Sequence, residues 1–177
     1  MIETARLLLR PWRDVDREPM HRMGRDPKVM EFLGPLQSRA QSDMFIDRMI
    51  ALQEQNGHCF WALERQQDSA LLGLCGLKHG PPDTPIATCV EIGWRLRSDA
   101  WGAGYAREAA EASIAWGWAN LACDAIHAIT TVANVRSRGL MERLGMKRLP
   151  DMDFDHPAVP ADSPLRPHVT YVLEYPA

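Results

Sequence analysis

Apolar residues recur along this chain with two different periods, and the switches between them mark its elements. Leu7, Leu8 and Leu9 between Arg6 and Arg10 form a short apolar run closed by Pro11, which predicts a strand. Asp14-Val15-Asp16 opens a helical stretch that ends near Gly24, and Asp26-Pro27 starts another short helical turn. From Ser38 or Ser42 to about Gln55, Met44, Phe45, Ile46, Met49, Ile50 and Leu52 recur mostly at three and four residues. That is the spacing of an amphipathic helix, and Asn56-Gly57 stops it. Period two then takes over. His58 to Glu64 and Leu71 to Lys78 predict two strands of a hairpin, and the proline-rich loop Gly80–Pro85 belongs to neither sheet nor helix interior.

In the next strand, Val90, Ile92, Trp94 and Leu96 share one face, while Glu91, Gly93 and Arg95 share the other. A glycine turn follows, then an alanine-rich helix reaching about Asn120. Ala125 to Val132 is β-branched and predicts another strand; Asn134 caps a helix to Leu144, with Gly145 at its C′ position. A proline-rich loop from Asp155 to Pro167 lies between two strands, the second being His168 to Tyr175. The order of elements predicts an α/β (α+β mixed) fold: a mixed sheet with helices on both faces, forming one domain over residues 1–177.

Composition narrows the functional classes. With 46% apolar and 24% charged residues the chain is globular, and 177 residues suffice for a substantial core. A net charge of −3 gives no general attraction to nucleic acid or to an anionic membrane, and mildly favours a cationic partner. No apolar run approaches the roughly 20 residues of a membrane span, and the N-terminus lacks a hydrophobic signal core. Cys59, Cys75, Cys89 and Cys123 are widely spaced, which predicts free thiols and a cytoplasmic protein.

The chemistry concentrates at two strand-to-helix junctions. Gly102 and Gly104 lack Cβ atoms, so the backbone there can take positive φ and be approached closely. The unpaired N–H groups and macrodipole of the helix that follows favour an anion, and a phosphate or pyrophosphate is the natural guest. A dinucleotide-binding motif fails here, because Arg107 stands where a third glycine belongs and no acidic residue ends a strand some twenty positions on. At the second junction Asn134 caps Ser137 while remaining available to a ligand alongside. Gly139 inside that helix costs roughly 0.8–1 kcal/mol against alanine, and close approach of a ligand or a neighbouring element is one reason for it. Asp153, Asp155 and His156 carry a single histidine and read as a loop, with no metal expected.

In order and spacing, these residues resemble the GNAT acyltransferases, in the branch of the ribosomal-protein alanine N-acetyltransferases. The resemblance runs from Thr4-Ala5-Arg6-Leu7-Leu8-Leu9-Arg10-Pro11-Trp12 through Phe60-Trp61-Ala62-Leu63-Glu64 and the Val90–Ala110 block. It continues to Asn134-Val135-Arg136-Ser137, Met141–Met146 and the ending Phe154–Val169. It implies a sheet whose two central parallel strands, Cys89–Leu96 and Ala125–Val132, splay into a V that holds acetyl-CoA. The implied coenzyme contacts are Ile92, Trp94 and Leu96, then Trp101, Gly102, Ala103, Gly104, Tyr105, Ala106 and Arg107, then Asn134, Ser137 and Arg138. Two positions depart from the family's pattern. Asp99 replaces the Gln or Arg usual three residues before the first glycine, and Met141 replaces a tyrosine that commonly protonates the coenzyme thiolate. Ser137 is the nearest substitute for that acid.

The implied reaction is acetyl transfer to a primary amine, of a small molecule or a peptide N-terminus, by direct attack on the thioester. Glu91 is the expected base, directly or through a water; its alternative role is an ion pair with Arg95 on the same strand face. A backbone N–H of Ile92–Trp94 would meet the oxyanion. His168 is a second candidate for the acceptor pocket, or a structural residue at a strand start. The rival to an enzyme is an inactive GNAT-fold module that senses acyl-CoA or holds a partner protein, which the missing tyrosine favours. The chain would act as a monomer or a homodimer.

Overall fold

The computed structural model describes residues 1–176. In chain order it forms β1 (Ile2–Glu3), β2 (Leu7–Arg10), α1 (Arg17–Gly24), α2 (Pro27–Met30), α3 (Arg39–Asn56), β3 (Phe60–Arg65) and β4 (Ala70–His79). Then come β5 (Val90–Leu96), α4 (Tyr105–Asn120), β6 (Ala125–Thr131), α5 (Val135–Arg143), β7 (Lys147–Arg148), β8 (Phe154–Asp155) and β9 (Pro167–Glu174). The sequence boundaries hold to within a residue or two, and local chemistry explains several of them. Ser38 is the cap of α3: its hydroxyl accepts from Gln41 N at 3.2 Å, while Gln41 Oε1 accepts from Ser38 N at 2.8 Å. Gly57 closes the same helix at φ 77°, and Gly145 follows α5 at φ 82°.

Among the described residues the strands form one sheet in the order β1-β2-β3-β4-β5-β6-β9-β7, with β8 also on β9. Every neighbouring pair is antiparallel except β5 and β6. Those two strands pair only at Val90↔Ile126 and Glu91↔His127, and beyond that point they part.

Helix α4 covers one face of the sheet. Ser113 Oγ lies 3.7 Å from Cys75 Sγ, and a Cβ at Gly117 would stand 2.6 Å from Leu77 Cδ1, so glycine lets α4 sit this close without displacing that side chain. Helix α3 covers the other face, where Phe45 meets Trp12 edge-on and Arg95 lies over the Phe45 ring. A buried ion network joins the first elements to the sheet. Arg10 donates to both Asp16 oxygens at 2.7 and 2.8 Å and to Glu64 at 2.6 Å. All four cysteines are free, and burial pushes the thiols of Cys59 and Cys75 up to about 12. No described helix is long and apolar enough to cross a membrane.

Candidate active site

The parting of β5 from β6 leaves one edge of β5 without a strand partner after Glu91. Backbone groups there must find other partners, because an unpaired polar group away from water is unfavourable. The gap widens into a cleft of about 720 Å³, walled by Ile92–Leu96 on one side and by Ile129, Thr130 and the start of α5 on the other.

At the far end of β5 the chain enters the glycine turn. Gly102 and Gly104 have φ of 78° and 82°, a region open to glycine at no steric cost. Gly104 is also the N-cap of α4, so the first-turn amides lack intrahelical partners, and Tyr105, Ala106 and Arg107 of that turn line the cleft. The turn is pinned from β2: Arg6 donates from Nη1 to the Ala103 carbonyl at 2.9 Å, pairs with Glu108, and lies over the Tyr105 ring. Trp101 donates from Nε1 to the Leu96 carbonyl at 2.9 Å, and its ring carries the Arg136 guanidinium 4.7 Å from its centroid. The Asp99 carboxylate is paired with Arg97, whose guanidinium holds its pKa below the ordinary value. The charge that opposed a phosphate here is therefore answered within the turn.

At the second junction Asn134 Oδ1 accepts from Ser137 N at 3.2 Å while its Nδ2 donates to the Thr130 hydroxyl at 3.0 Å. The cap thus orients Asn134 and leaves the Ser137 hydroxyl on the cleft wall. Met141 is buried and lines the same wall, one turn further along α5. A Cβ at Gly139 would meet only the flexible end of Arg143, at 3.3 Å, so packing gives no reason for that glycine.

Glu91 sits at the apex of the V, 7% exposed, and its partner is Lys78 rather than Arg95. In the β4–β5 ladder Lys78 stands directly opposite Glu91, and direct cross-strand neighbours have Cβ atoms roughly 4.5–5.5 Å apart. Arg95, four residues along the same strand face, is much farther away, about 13 Å of strand. Burial raises the Glu91 pKa above the ordinary carboxylate value, and the Lys78 charge only partly offsets this. Lys78 also donates to the His79 carbonyl at 2.9 Å and lies 5.0 Å from the Phe60 ring centre.

The structure brings most of the predicted residues to one cleft. Glu91, Ile92, Trp94, Leu96, Trp101, Gly102, Gly104, Tyr105, Ala106, Arg107, Asn134 and Ser137 all line it. Ala103 and Arg138 do not. Ala103 is turned to Arg6, and Arg138 donates to the Val132 carbonyl at 3.0 Å and to the Tyr171 hydroxyl at 3.3 Å. Arg136 and Arg143 line the cleft in place of Arg138. His168 lies outside it. Its ring is 4.9 Å from that of His156 and 5.7 Å from Phe154, Nδ1 is 2.9 Å from the Arg166 carbonyl, and burial lowers its pKa. The described residues contain no group of three or more His, Cys, Asp or Glu placed to hold a metal ion.

A sheet opened at one parallel pair, with a glycine turn and helix N-terminus at its mouth, is the architecture of an acyl-CoA transferase. The chain belongs to the GNAT acetyltransferases: residues 6–147 match the family profile described as an acetyltransferase (GNAT) domain. The uncharacterised protein YkkB of Bacillus subtilis is 28% identical over 144 residues, spanning 81% of this chain and 83% of its own. An acetyltransferase from Agrobacterium tumefaciens has a TM-score of 0.79 at 23% identity, over 98% of this chain and 94% of that one. Two similar structures contain coenzyme A. One is RimL, a ribosomal L7/L12 α-N-protein acetyltransferase, with TM-score 0.77 at 14% identity over 97% and 95% of the two chains. The other is the Vibrio cholerae spermidine N-acetyltransferase bound to CoA and spermine, with TM-score 0.74 at 17% identity over 97% and 96%. These structures share the fold with this chain; their acceptors, a protein and a polyamine, differ from each other.

Proposed function

We propose that this protein, acting as one domain, transfers the acetyl group of acetyl-CoA to a primary amine by direct attack within a ternary complex. The reading is carried by one observation. The β5–β6 ladder stops at Glu91, so a thioester lying in the V meets free strand backbone and a buried carboxylate at the same point. The amides of the Gly102–Arg107 turn hold the pyrophosphate, and Trp94, Leu96 and Asn134 flank the arm that reaches inward.

An ammonium has no lone pair, so the acceptor nitrogen must first lose a proton. Glu91 takes it, directly or through a water, and its raised pKa makes it a better base than an exposed carboxylate. The nitrogen lone pair then forms the bond to the acetyl carbon, and an N–H of the unpaired β5 edge meets the oxyanion. The C–S bond breaks, and the departing thiolate takes a proton from the Ser137 hydroxyl, on the same cleft wall as Met141. The second proton that the nitrogen sheds as it becomes an amide passes through water to Ser137 and restores its hydroxyl.

Met141 also favours a second reading, a coenzyme-binding module without turnover. Calorimetry with CoA and acetyl-CoA, followed by thiol release in the presence of an amine panel, separates the two. Binding with thiol release supports the enzyme, and binding without release for any amine supports the module. No association with either coenzyme form refutes both.

A further inference from the structure

The cleft contains a cation that the transfer step does not use. Arg95 projects from β5 on the α3 side of the sheet, where its guanidinium lies 5.5 Å from the Phe45 ring centre. Its one hydrogen bond is a long one, 3.4 Å to Gln37 Oε1. No carboxylate pairs with it among the described residues; the one charge acting on it is Arg48, of like sign. Burial first, and that repulsion second, bring its pKa down to about 10. The side chain nevertheless keeps part of its surface open to the cleft it lines.

A guanidinium withdrawn from water without an anion is an unfavourable arrangement, and its planar fork of donors matches the paired oxygens of a carboxylate or phosphate. The coenzyme's own phosphates do not account for it. Cys75 stands opposite Trp94 in the ladder and touches Ser113 of α4, so α4 and its glycine turn lie on the face of the sheet away from Arg95. Lys28, on α2, lines the cleft too, and the Asp26 carboxylate at the helix start acts on its charge. The one carboxylate in the lining is Glu91, already paired with Lys78. In a chain of net charge −3, this wall of the cleft is locally cationic.

We propose that Arg95 reads an anionic group on the acceptor, so that the substrate is a primary amine bearing a carboxylate or a phosphate a short chain away from its nitrogen. Polyamines, which bring only positive charge, are then poor acceptors. This inference rests on the acetyl-transfer reading above and reverses the bias toward a cationic acceptor that net charge alone suggests.

The test is calorimetric and needs no turnover. Unbranched ω-amino acids of increasing length, their primary amides, the matching ω-aminoalkyl phosphates and the matching diamines are titrated into protein saturated with CoA. The acid or the phosphate of the best length should bind about ten- to a hundredfold tighter than its amide, with the diamine weakest. The two anion series show which group is read. In Arg95→Gln the acid-to-amide ratio should fall to about one, while Arg95→Lys, with a charge but no fork, should lie between. The affinity of each variant for CoA reports whether it has folded. Equal binding of acid and amide by the wild type, a preference that survives Arg95→Gln, or no binding of any acceptor to a CoA-loaded protein each overturns the proposal. Failure to bind CoA refutes the acetyl-transfer reading instead, and the acid–amide comparison on the coenzyme-free protein then still decides the role of Arg95.

Discussion

Replacing Glu91 with glutamine separates two roles that one carboxylate fills: counter-ion to Lys78 and acceptor of the nucleophile's proton. Glutamine keeps the shape and an oxygen facing the ammonium, so a charge is lost but the contact remains. Breaking a fully buried pair costs about 3–5 kcal/mol. Lys78 retains the His79 carbonyl and the Phe60 ring, so the expected loss of stability is nearer 1–2 kcal/mol. The kinetic loss depends on the acceptor. Near pH 7.4 an α-amine of pKa about 7.7–8.0 is deprotonated for less than about 1 kcal/mol, whereas a lysine-type amine near 10.4 requires about 4 kcal/mol. A positioned base contributes about 10²–10⁴-fold, and the second acceptor depends on it far more than the first. Initial rates of thiol release, measured against pH for both acceptor types, read this directly. Burial raises the Glu91 pKa, with Lys78 pulling it partly back, and only the ionised form takes a proton. Wild-type activity must therefore rise with pH through a value above the usual carboxylate range, and that limb must vanish in Glu91→Gln. Full activity of the variant on a lysine-type acceptor, with the limb unmoved, would remove Glu91 from the mechanism.

Four further outcomes are expected. Lys78→Met removes the charge that pulls the Glu91 pKa down, so the acid limb of the pH profile should move to higher pH; an unmoved limb would mean that the pair does not set it. Gly104→Ala places a Cβ only 3.5 Å from Arg6 Nη2, an ordinary contact, so the strain comes from the backbone at φ 82° and should cost about 1–2 kcal/mol. Calorimetry should show CoA binding about tenfold weaker in that variant, and unchanged affinity would exclude the turn from coenzyme binding. Ser137→Ala leaves the cap intact, because Asn134 accepts from the backbone N–H; stability should change by less than about 0.5 kcal/mol while kcat falls about 10²-fold. Arg10→Met strands the buried Asp16 carboxylate and should destabilise the fold by about 3–5 kcal/mol in urea titration, a loss under about 1 kcal/mol being inconsistent with the network described.

How much of the site was legible follows from how locally each part is encoded. The proposed coenzyme side lies largely in one continuous stretch, Val90 to Arg107, where strand alternation sets the faces and the two glycines mark positive φ, so ten predicted residues reach the cleft together. Arg138 is not among the residues lining the cleft, and helical periodicity explains its place. Arg136, Leu140 and Arg143 are spaced i, i+4, i+7 and share a face, which leaves Arg138 on the flank with Tyr171. The proposed acceptor side is different in kind. It is assembled from β3, β4, β5, the segment before α3 and α3 itself, where Phe60, Lys78, Arg95, Gln37 and Phe45 meet. Spacing along one strand made Arg95 the apparent partner of Glu91, but the partner depends on register across the β4–β5 connection. That connection spans Gly80 to Cys89, and no short turn geometry within it sets the register in advance. Once Lys78 takes the carboxylate, Arg95 is left without an anion in a cleft that must admit a substrate. Cross-strand register, a property of two segments at once, therefore separates an arginine paired with a carboxylate from one left without an anion.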